Sequence, residues 1–126
     1  FEEFPGIRKL EKKLGYFVNT KGFITLIYNR RRRLRSKDIY KALNSLIQGS
    51  GAMVVKAALA KIFDLLAPYK SHLIIQVHDE IGVVIAHGEE FLVEKIRLIM
   101  QDFKTVVPLL VSAEKSKGNW ADKEAA

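Results

Sequence analysis

Cysteine is absent from the 126-residue sequence, and proline and tryptophan are scarce, with three residues and one residue respectively. The absence of cysteine excludes a disulfide framework, a thiolate zinc site and a thiol nucleophile, and it is compatible with a reducing cytosol. No uninterrupted apolar run approaches the ~20 residues of a membrane span, and the N-terminal segment FEEFPGIRKL is no signal peptide. Secretion and a membrane partner therefore have no support in the sequence.

Acidic residues are also in short supply, because 14 Asp and Glu face 21 Lys and Arg, with a net charge of +7 and a pI near 9.7. Much of the basic excess lies in one stretch, Arg30 to Arg33 followed by Arg35 and Lys37. Such a run is common in solvated loops, but guanidinium groups also bind phosphates well. Charge alone therefore favours nucleic acid as the partner.

The chain contains no internal repeat or low-complexity linker, and its content of 48% hydrophobic residues argues against disorder. We predict a single α+β unit over residues 1–126, with an antiparallel sheet packed against helices and one long central helix. Gly15 is a predicted helix stop, Pro68 ends the long helix, and Gly49 and Gly51 weaken its middle. The predicted segments are a helix and a basic hairpin in 1–36 (helix 5–14, strands 16–19 and 23–28), the long helix in 37–67, a second hairpin in 72–86, and a helix, a strand over 108–113 and a tail in 88–126.

The stretch LIIQVHDEIGVVI, residues 73–85, places His78, Asp79 and Glu80 between two apolar, β-branched runs. Short runs of this kind around a polar trio are typical of a β-hairpin with its charges at the tip. Aspartate is a common turn former, so the trio could simply face water. Gln76, however, shares one strand face with His78, which extends polar character into the strand beyond what a solvated turn requires.

In the long helix, Tyr40, Asn44 and Gln48 are spaced at i, i+4 and i+8 and therefore form one polar ridge. Amides on a helix surface are usually just solvated, so the ridge gains weight only beside the hairpin and the arginine run. The residues predicted to pack on the opposite side are Leu43, Leu46, Ile47, Val54, Ala58 and Ile62.

A later helix is indicated after the hairpin. Glu89 and Glu90 in a first turn and Lys104 in a last turn suit the helix dipole. The apolar positions at helical spacing predict a buried face for this helix. Its members are Phe91, Leu92, Ile96, Ile99 and Phe103.

Taken together, three stretches resemble the C-terminal part of family A DNA polymerases, the DNA polymerase I type, and their residues are closer to those of bacteriophage members. GYFVNTKGFITLIYNRRRR is similar to the family's Gly-Tyr-Val-x-Thr-x-x-Gly segment with its arginines, and NSLIQGSGAMVVK is similar to its Asn-x-x-x-Gln-Gly segment. QVHDE has the motif C signature of the palm, and VPLLVSAEKSKGNWADK, with Trp120, resembles the extreme C-terminus. The similarity covers essentially the whole chain, and QVHDE correctly spaced after NxxxQG is a specific signal.

The resemblance implies an antiparallel palm-type sheet and nucleotidyl transfer from deoxynucleoside triphosphates to primer-template DNA, with two Mg²⁺ ions. By the family pattern, Asp79 is a catalytic carboxylate and metal ligand, Glu80 is a nearby catalytic carboxylate with a lesser role, and His78 approaches the primer end. The resemblance further implies a cytoplasmic location in a bacterial or phage-infected cell. The other residues implied to bind primer-template DNA are Asn44 and Gln48, on the minor-groove side, and Arg30, Arg31, Arg32 and Arg33.

Two departures from the family pattern are visible. Tyr40 stands where the family often has arginine, four residues before Asn44, which removes the basis for a DNA contact by residue 40. Motif A, with the second metal-binding aspartate, and motif B, the fingers helix that holds the nucleotide, have no counterpart in the sequence. The chain opens on Phe1, without an initiator methionine. We therefore expect a polymerase fragment or the second polypeptide of a split polymerase, inactive alone and partnered by the segment with motifs A and B.

Two other function classes remain open. A noncatalytic, basic nucleic-acid-binding module would explain the charge and the arginine run, and would be favoured if replacing Asp79 left every function intact. A small metal-dependent nuclease could use His78, Asp79 and Glu80, but it would need more converging carboxylates than this neighbourhood offers.

Overall fold

The computed structural model describes residues 4–119 and 121–125, so the resemblance at Trp120 lies outside the described residues. The architecture is α+β, as predicted, with three α-helices and three small antiparallel hairpins in the described part of the chain. The chain divides into two compact units, Phe1–Met53 and Val54–Ala126. The prediction that residues 1–126 form a single unit stays a prediction.

Helix α1 of the first unit spans Pro5–Lys21, so the predicted stop at Gly15 and the predicted strand over 16–19 are wrong. Leu14 and Val18 lie one turn apart and are both buried, which continues the apolar stripe of the helix past the glycine. The helix ends at Gly22, whose left-handed backbone (φ 72°) lets its N–H donate to the Val18 carbonyl.

The basic hairpin begins directly after this cap. Strand β1, Phe23–Thr25, pairs antiparallel with strand β2, Arg31–Arg33, and a tight turn over Ile27–Asn29 lies between them. The predicted turn at 20–22 and the long strand over 23–28 are therefore wrong, because residues 20–21 belong to α1 and the chain reverses at 26–30. Arg31–Arg33 of the arginine run form a strand of the hairpin, and Arg30 lies in the turn before it, so the run belongs to the hairpin and does not follow it.

The long helix begins as a 3₁₀ segment, Ser36–Lys41, and continues as α2, Ala42–Leu66. It stays α-helical through Gly49 and Gly51 and ends before Pro68, as predicted for the proline. By length and composition alone, the helical segment Ser36–Leu66 could cross a membrane, since one 18-residue window has a mean hydropathy of 1.3. A helix that packs within a larger protein has the same composition. Ile47, predicted to pack, is 63% exposed.

In the second unit, β3 (His72–Val77) and β4 (Glu80–Val84) form the predicted hairpin, and α3 (Leu92–Gln101) follows. The helix begins three residues later than predicted, and Phe91 is half exposed against the prediction. No strand forms over 108–113. Strands β5 (Glu114–Lys115) and β6 (Glu124–Ala125) pair instead, close to the end of the described chain.

Each of the two units is held together by an apolar cluster of its own. In the first unit, α1, β1 and the start of α2 bury one cluster. In the second unit, the C-terminal half of α2 packs with α3, and the core face of β4 lies against both. The buried members are Leu14, Val18, Ile24, Leu26 and Ala42 in the first cluster, and Ala58, Ile62, Leu66, Leu92 and Ile96 in the second.

Candidate functional site

The base of the β3–β4 hairpin is closed by a polar clamp. Glu89 accepts hydrogen bonds from the backbone N–H of Lys70 (3.1 Å) and of Ser71 (2.9 Å) and from the Ser71 hydroxyl (2.5 Å). The Ser71 hydroxyl also accepts from the N–H of Ala86 at 3.0 Å. These bonds, led by that from the Ser71 side chain, hold the pKa of Glu89 below its ordinary value. The two ends of the hairpin are thereby tied together.

The opposite end of the hairpin is a two-residue turn, His78-Asp79, between the paired residues Val77 and Glu80. His78 has a left-handed backbone (φ 52°), a conformation that short hairpin turns require and that histidine adopts more readily than most residues. The Gln76 side-chain amide donates to the His78 carbonyl at 3.0 Å. The polar character that the sequence shows at Gln76 therefore supports the turn itself.

Beside the turn, the register of the strands depends on Gly82, which pairs with Ile75. A Cβ atom at position 82 would lie 2.6 Å from the Cγ2 atom of Ile75, closer than real Cβ contacts allow. The register shifts between Leu73 and Ile75, which marks an irregularity of the β-bulge kind in β3. Bulges re-aim side chains near functional sites, and this one lies on the strand that leads to His78.

The two carboxylates of the trio have different surroundings. Asp79 is exposed in the turn, and in the part of the chain that the structure describes no hydrogen bond or ion pair involves its side chain. Glu80 is the first residue of β4, and its Oε1 atom lies 3.6 Å from the Nζ atom of Lys123. Lys123 also lies 3.6 Å from Glu114, so one ammonium group is shared by two carboxylates. Asp79 is the carboxylate that is available to a ligand.

A metal ion would find suitable atoms at this tip but too few of them. Asp79 and Glu80 offer hard carboxylate oxygens, which Mg²⁺ prefers. Among residues 4–119 and 121–125, no group of three or more His, Asp or Glu side chains is placed to hold a metal ion. The donor chemistry therefore fits Mg²⁺, whereas a complete site would need ligands from another segment.

The polar ridge of the long helix lies in the first unit. Asn44 and Gln48 are exposed on α2, and Tyr40, in the 3₁₀ segment, is 77% exposed. Near its start, Asp38 accepts hydrogen bonds from Lys41 (3.0 Å) and Arg35 (3.2 Å), and the bond from Lys41 is the main reason that the pKa of Asp38 is lowered. Arg35 is thus partly occupied by a carboxylate, while the two amides remain open to a ligand.

The four arginines of the run, Arg30 to Arg33, are all exposed in the first unit. The Arg31 guanidinium lies over the Phe23 ring, 4.8 Å from its centroid, and Arg30 contacts the Met53 sulfur at 3.6 Å. Within the described residues, no carboxylate forms an ion pair with any of the four. Their charge is therefore available to a polyanion.

The predicted site residues thus fall into two sets. The first unit carries Asn44, Gln48 and the four arginines, and the second carries His78, Asp79 and Glu80. Sequence reasoning did not identify Ser71, which is buried, or the roles of Glu89 and Lys123. A serine just before an apolar strand and a glutamate shortly after the hairpin were the available signals, but they do not indicate that the two residues meet.

Comparison with known proteins identifies relatives of the whole chain. It is 31% identical to the DNA polymerase I of Streptococcus pneumoniae over an alignment of 135 residues, which covers 95% of this chain and 15% of that protein. It is also 31% identical to the DNA polymerase of Mycobacterium phage L5, covering 93% of this chain and 20% of that protein. With equal identity to both, a phage-like origin stays a prediction.

A solved structure has the same fold: the POL domain of Pol1 from M. smegmatis, in complex with DNA primer-template and dNTP. The TM-score is 0.78 at 28% sequence identity, and the match covers 86% of this chain and 22% of that one. The chain therefore spans only a small part of the proteins it resembles. The sequence profile described as DNA polymerase family A matches residues 1–122. The chain belongs to DNA polymerase family A.

Proposed function

We propose that this chain is the C-terminal part of a template-directed DNA polymerase, and that it supplies one metal-binding carboxylate and primer-template contacts to nucleotidyl transfer. The observation that carries the proposal is the tip of the β3–β4 hairpin, which leaves Asp79 exposed and without a partner among the described residues. The ligands are primer-template DNA and deoxynucleoside triphosphates, the molecules named for the M. smegmatis domain. A further carboxylate and the groups that hold the nucleotide come from a segment with motifs A and B.

Bound Mg²⁺ would supply Lewis-acid stabilisation of the charge that develops on the phosphate oxygens during transfer. Asp79 would hold the metal from a short turn whose two strands are paired and whose base is clamped, so the backbone that carries its side chain is set in advance. Glu80, which already forms an ion pair with Lys123, has the lesser role. His78, the other residue of the turn, faces the primer end.

The first unit provides the DNA contacts in this proposal. Every Watson–Crick pair presents a purine N3 or pyrimidine O2 acceptor in the minor groove, so the amides of Asn44 and Gln48 can test pair geometry without reading sequence. The arginines of 30–33 bind phosphates, which contributes affinity but no base preference. Both properties suit an enzyme that copies any template.

The test is complementation with a purified polypeptide that carries motifs A and B. This chain alone should not extend a primer, whereas the mixture should show Mg²⁺-dependent synthesis. Asp79→Asn should abolish that synthesis and leave DNA binding nearly unchanged, because the amide keeps the shape of the turn but lacks the charge that the metal requires. Gln48→Ala should lower extension more moderately, since it removes a geometric check and not the chemistry.

Asp64→Asn is the matched control for loss of one carboxylate, because Asp64 is exposed on α2 and has no assigned role. We expect the mixture with this variant to extend primers at the unmodified rate. If Asp79→Asn also extends primers at that rate, the metal-ligand assignment is wrong.

A noncatalytic nucleic-acid-binding module would then be the better description. One observation favours it: the described residues hold no cluster of metal-binding side chains, while the four arginines are exposed and unpaired. The same shortage of ligands weighs against a nuclease that acts alone. A cytoplasmic location in a bacterial or phage-infected cell stays a prediction.

A further inference from the structure

The loop that joins β1 to β2, residues 26–30, is fixed to helix α2 within the first unit. The N–H of Leu26 donates to the Arg30 carbonyl at 2.7 Å, and the N–H of Ile27 approaches the Ser50 hydroxyl at 3.5 Å. The Leu26 side chain is buried and occupies the space beside Gly49, where a Cβ atom would lie only 2.7 Å from Leu26 Cδ1. The loop is therefore anchored to α2 on the N-terminal side of its apex, and the bond between Leu26 and Arg30 ties its two sides together.

The apex itself is strained. Tyr28 (φ 54°) and Asn29 (φ 56°) are two consecutive non-glycine residues in the left-handed region, which is disfavoured for a bulky aromatic side chain. Strain of this kind persists where the surrounding structure imposes it, and such positions cluster at ligand contacts. The Tyr28 ring is 59% exposed. The anchored loop thus holds an exposed aromatic ring on a backbone conformation that is unfavourable for tyrosine.

The stretch of sequence around Tyr28 carries charge of one sign. Residues 12–37 contain no Asp or Glu and nine Lys or Arg, among them the four exposed arginines that begin at Arg30, two residues after Tyr28. An exposed aromatic ring beside guanidinium groups matches the chemistry of unpaired nucleotides, because a base can stack on the ring while its phosphates meet the cations. A base inside a duplex has no free face for such stacking.

We propose that Tyr28 is a stacking platform for an unpaired nucleobase, and that Arg30 to Arg33 hold the phosphates of the same single strand. The inference rests on the proposed function in that both take nucleic acid as the ligand and both use Arg30 to Arg33 for its phosphates. It adds a stacking contact with an unpaired base, made by a residue that belongs neither to the minor-groove amides nor to the β3–β4 hairpin.

The test measures binding of the full chain to a labelled single-stranded oligothymidylate, to a blunt duplex of equal length and to an abasic strand with the same phosphates. Tyr28→Ala should weaken binding to the oligothymidylate by about 5- to 150-fold, the range expected for loss of one stacked base. Tyr28→Phe should keep most of the affinity. Binding to the duplex and to the abasic strand should not change with either variant.

Tyr16→Ala is the matched control, because Tyr16 is also an exposed tyrosine within the acid-free stretch but lies on α1 in regular helical conformation. We expect it to bind all three ligands as the unmodified chain does. Circular dichroism of each variant checks that the helices remain.

Three outcomes would overturn the inference: Tyr28→Ala binding the oligothymidylate as tightly as the unmodified chain, losing equal affinity for duplex and abasic strand, or being matched by Tyr16→Ala. The proposed function fails separately. If complementation yields no synthesis while Tyr28→Ala loses affinity for the single strand alone, the stacking site stands and the polymerase assignment does not.

Discussion

Ser71 is the buried centre of the clamp beneath the hairpin, and its hydroxyl serves as both donor and acceptor. The side chain donates to Glu89 and accepts from the Ala86 N–H, while only 2% of the residue is exposed. Ser71→Ala removes both bonds at once. Glu89 keeps two backbone donors, from Lys70 and residue 71, whereas the Ala86 N–H loses its partner.

The size of the effect follows from that orphaned donor. A buried donor or acceptor left unsatisfied costs about 1 to 3 kcal/mol, and the alanine methyl group recovers little because it is smaller than the polar group it replaces. We therefore expect Ser71→Ala to lower the free energy of unfolding by about 1 to 3 kcal/mol. That loss is a large part of the stability of a small domain.

Urea denaturation followed by circular dichroism measures this loss as a lower midpoint with an unchanged slope. Hydrogen exchange should show the amides of β3 and β4 opening more readily than those of α1. The matched control is Ser116→Ala, because Ser116 is exposed and its hydroxyl donates only to the nearby Asn119 carbonyl. A loss no larger for Ser71→Ala than for Ser116→Ala would refute the clamp.

Two further predictions concern the same hairpin. Gly82→Ala should destabilise the chain by about 1 to 3 kcal/mol, because the new Cβ atom would overlap Ile75. The control Gly51→Ala, in open space on a helix, should stabilise the chain by up to about 1 kcal/mol. Urea midpoints that fall equally for the two variants would contradict this prediction. The lowered pKa of Glu89, due first to the Ser71 hydroxyl, means that its carboxylate contributes stability above its ordinary pKa of 4.5. This contribution should fade as the pH falls from 4.5 through the lowered pKa. Glu89→Gln should therefore flatten the dependence of the free energy of unfolding on pH in this range. The same pH dependence for the variant and the unmodified chain would argue against the assignment.

The elements that were predicted correctly are those whose signals are local and strong. The β3–β4 hairpin follows from two β-branched runs around a polar turn, and the end of α2 follows from Pro68, which no helix interior tolerates. The error at α1 has a physical cause. Gly15 is a weak helix residue, and a Cβ atom there would make only an ordinary van der Waals contact with Ile39, at 3.4 Å, so the packing does not require a glycine at this position. Burial of the stripe through Val18 outweighs its low helix propensity.

The site residues divide in the same way. The tip residues could be predicted because chemistry and turn formation select the same short stretch. The partners of Glu89 could not, because the glutamate also suits a helix N-terminus and its actual donors lie 18 and 19 residues earlier in the chain. The left-handed backbone at Tyr28 was hidden for a similar reason. Asn29 is of a residue type that adopts positive φ more readily than most, but a tyrosine gives no such signal, so the conformation of residue 28 could not be predicted.

Predictions of burial failed in one direction only, and that direction carries information. Ile47 and Phe91 were expected to pack and are exposed, and Ile74 on β3 is 57% exposed as well. A periodic apolar pattern reports the surfaces that a helix or strand buries in the complete protein, whichever segment covers them. The chain spans 15% of the S. pneumoniae relative, so many of the surfaces that such a protein buries would lie against other segments. Under the proposed function, these exposed apolar side chains meet the segment that carries motifs A and B. On the same proposal, that segment also supplies the second metal-binding carboxylate, so the exposed apolar side chains and the incomplete metal site would have one explanation.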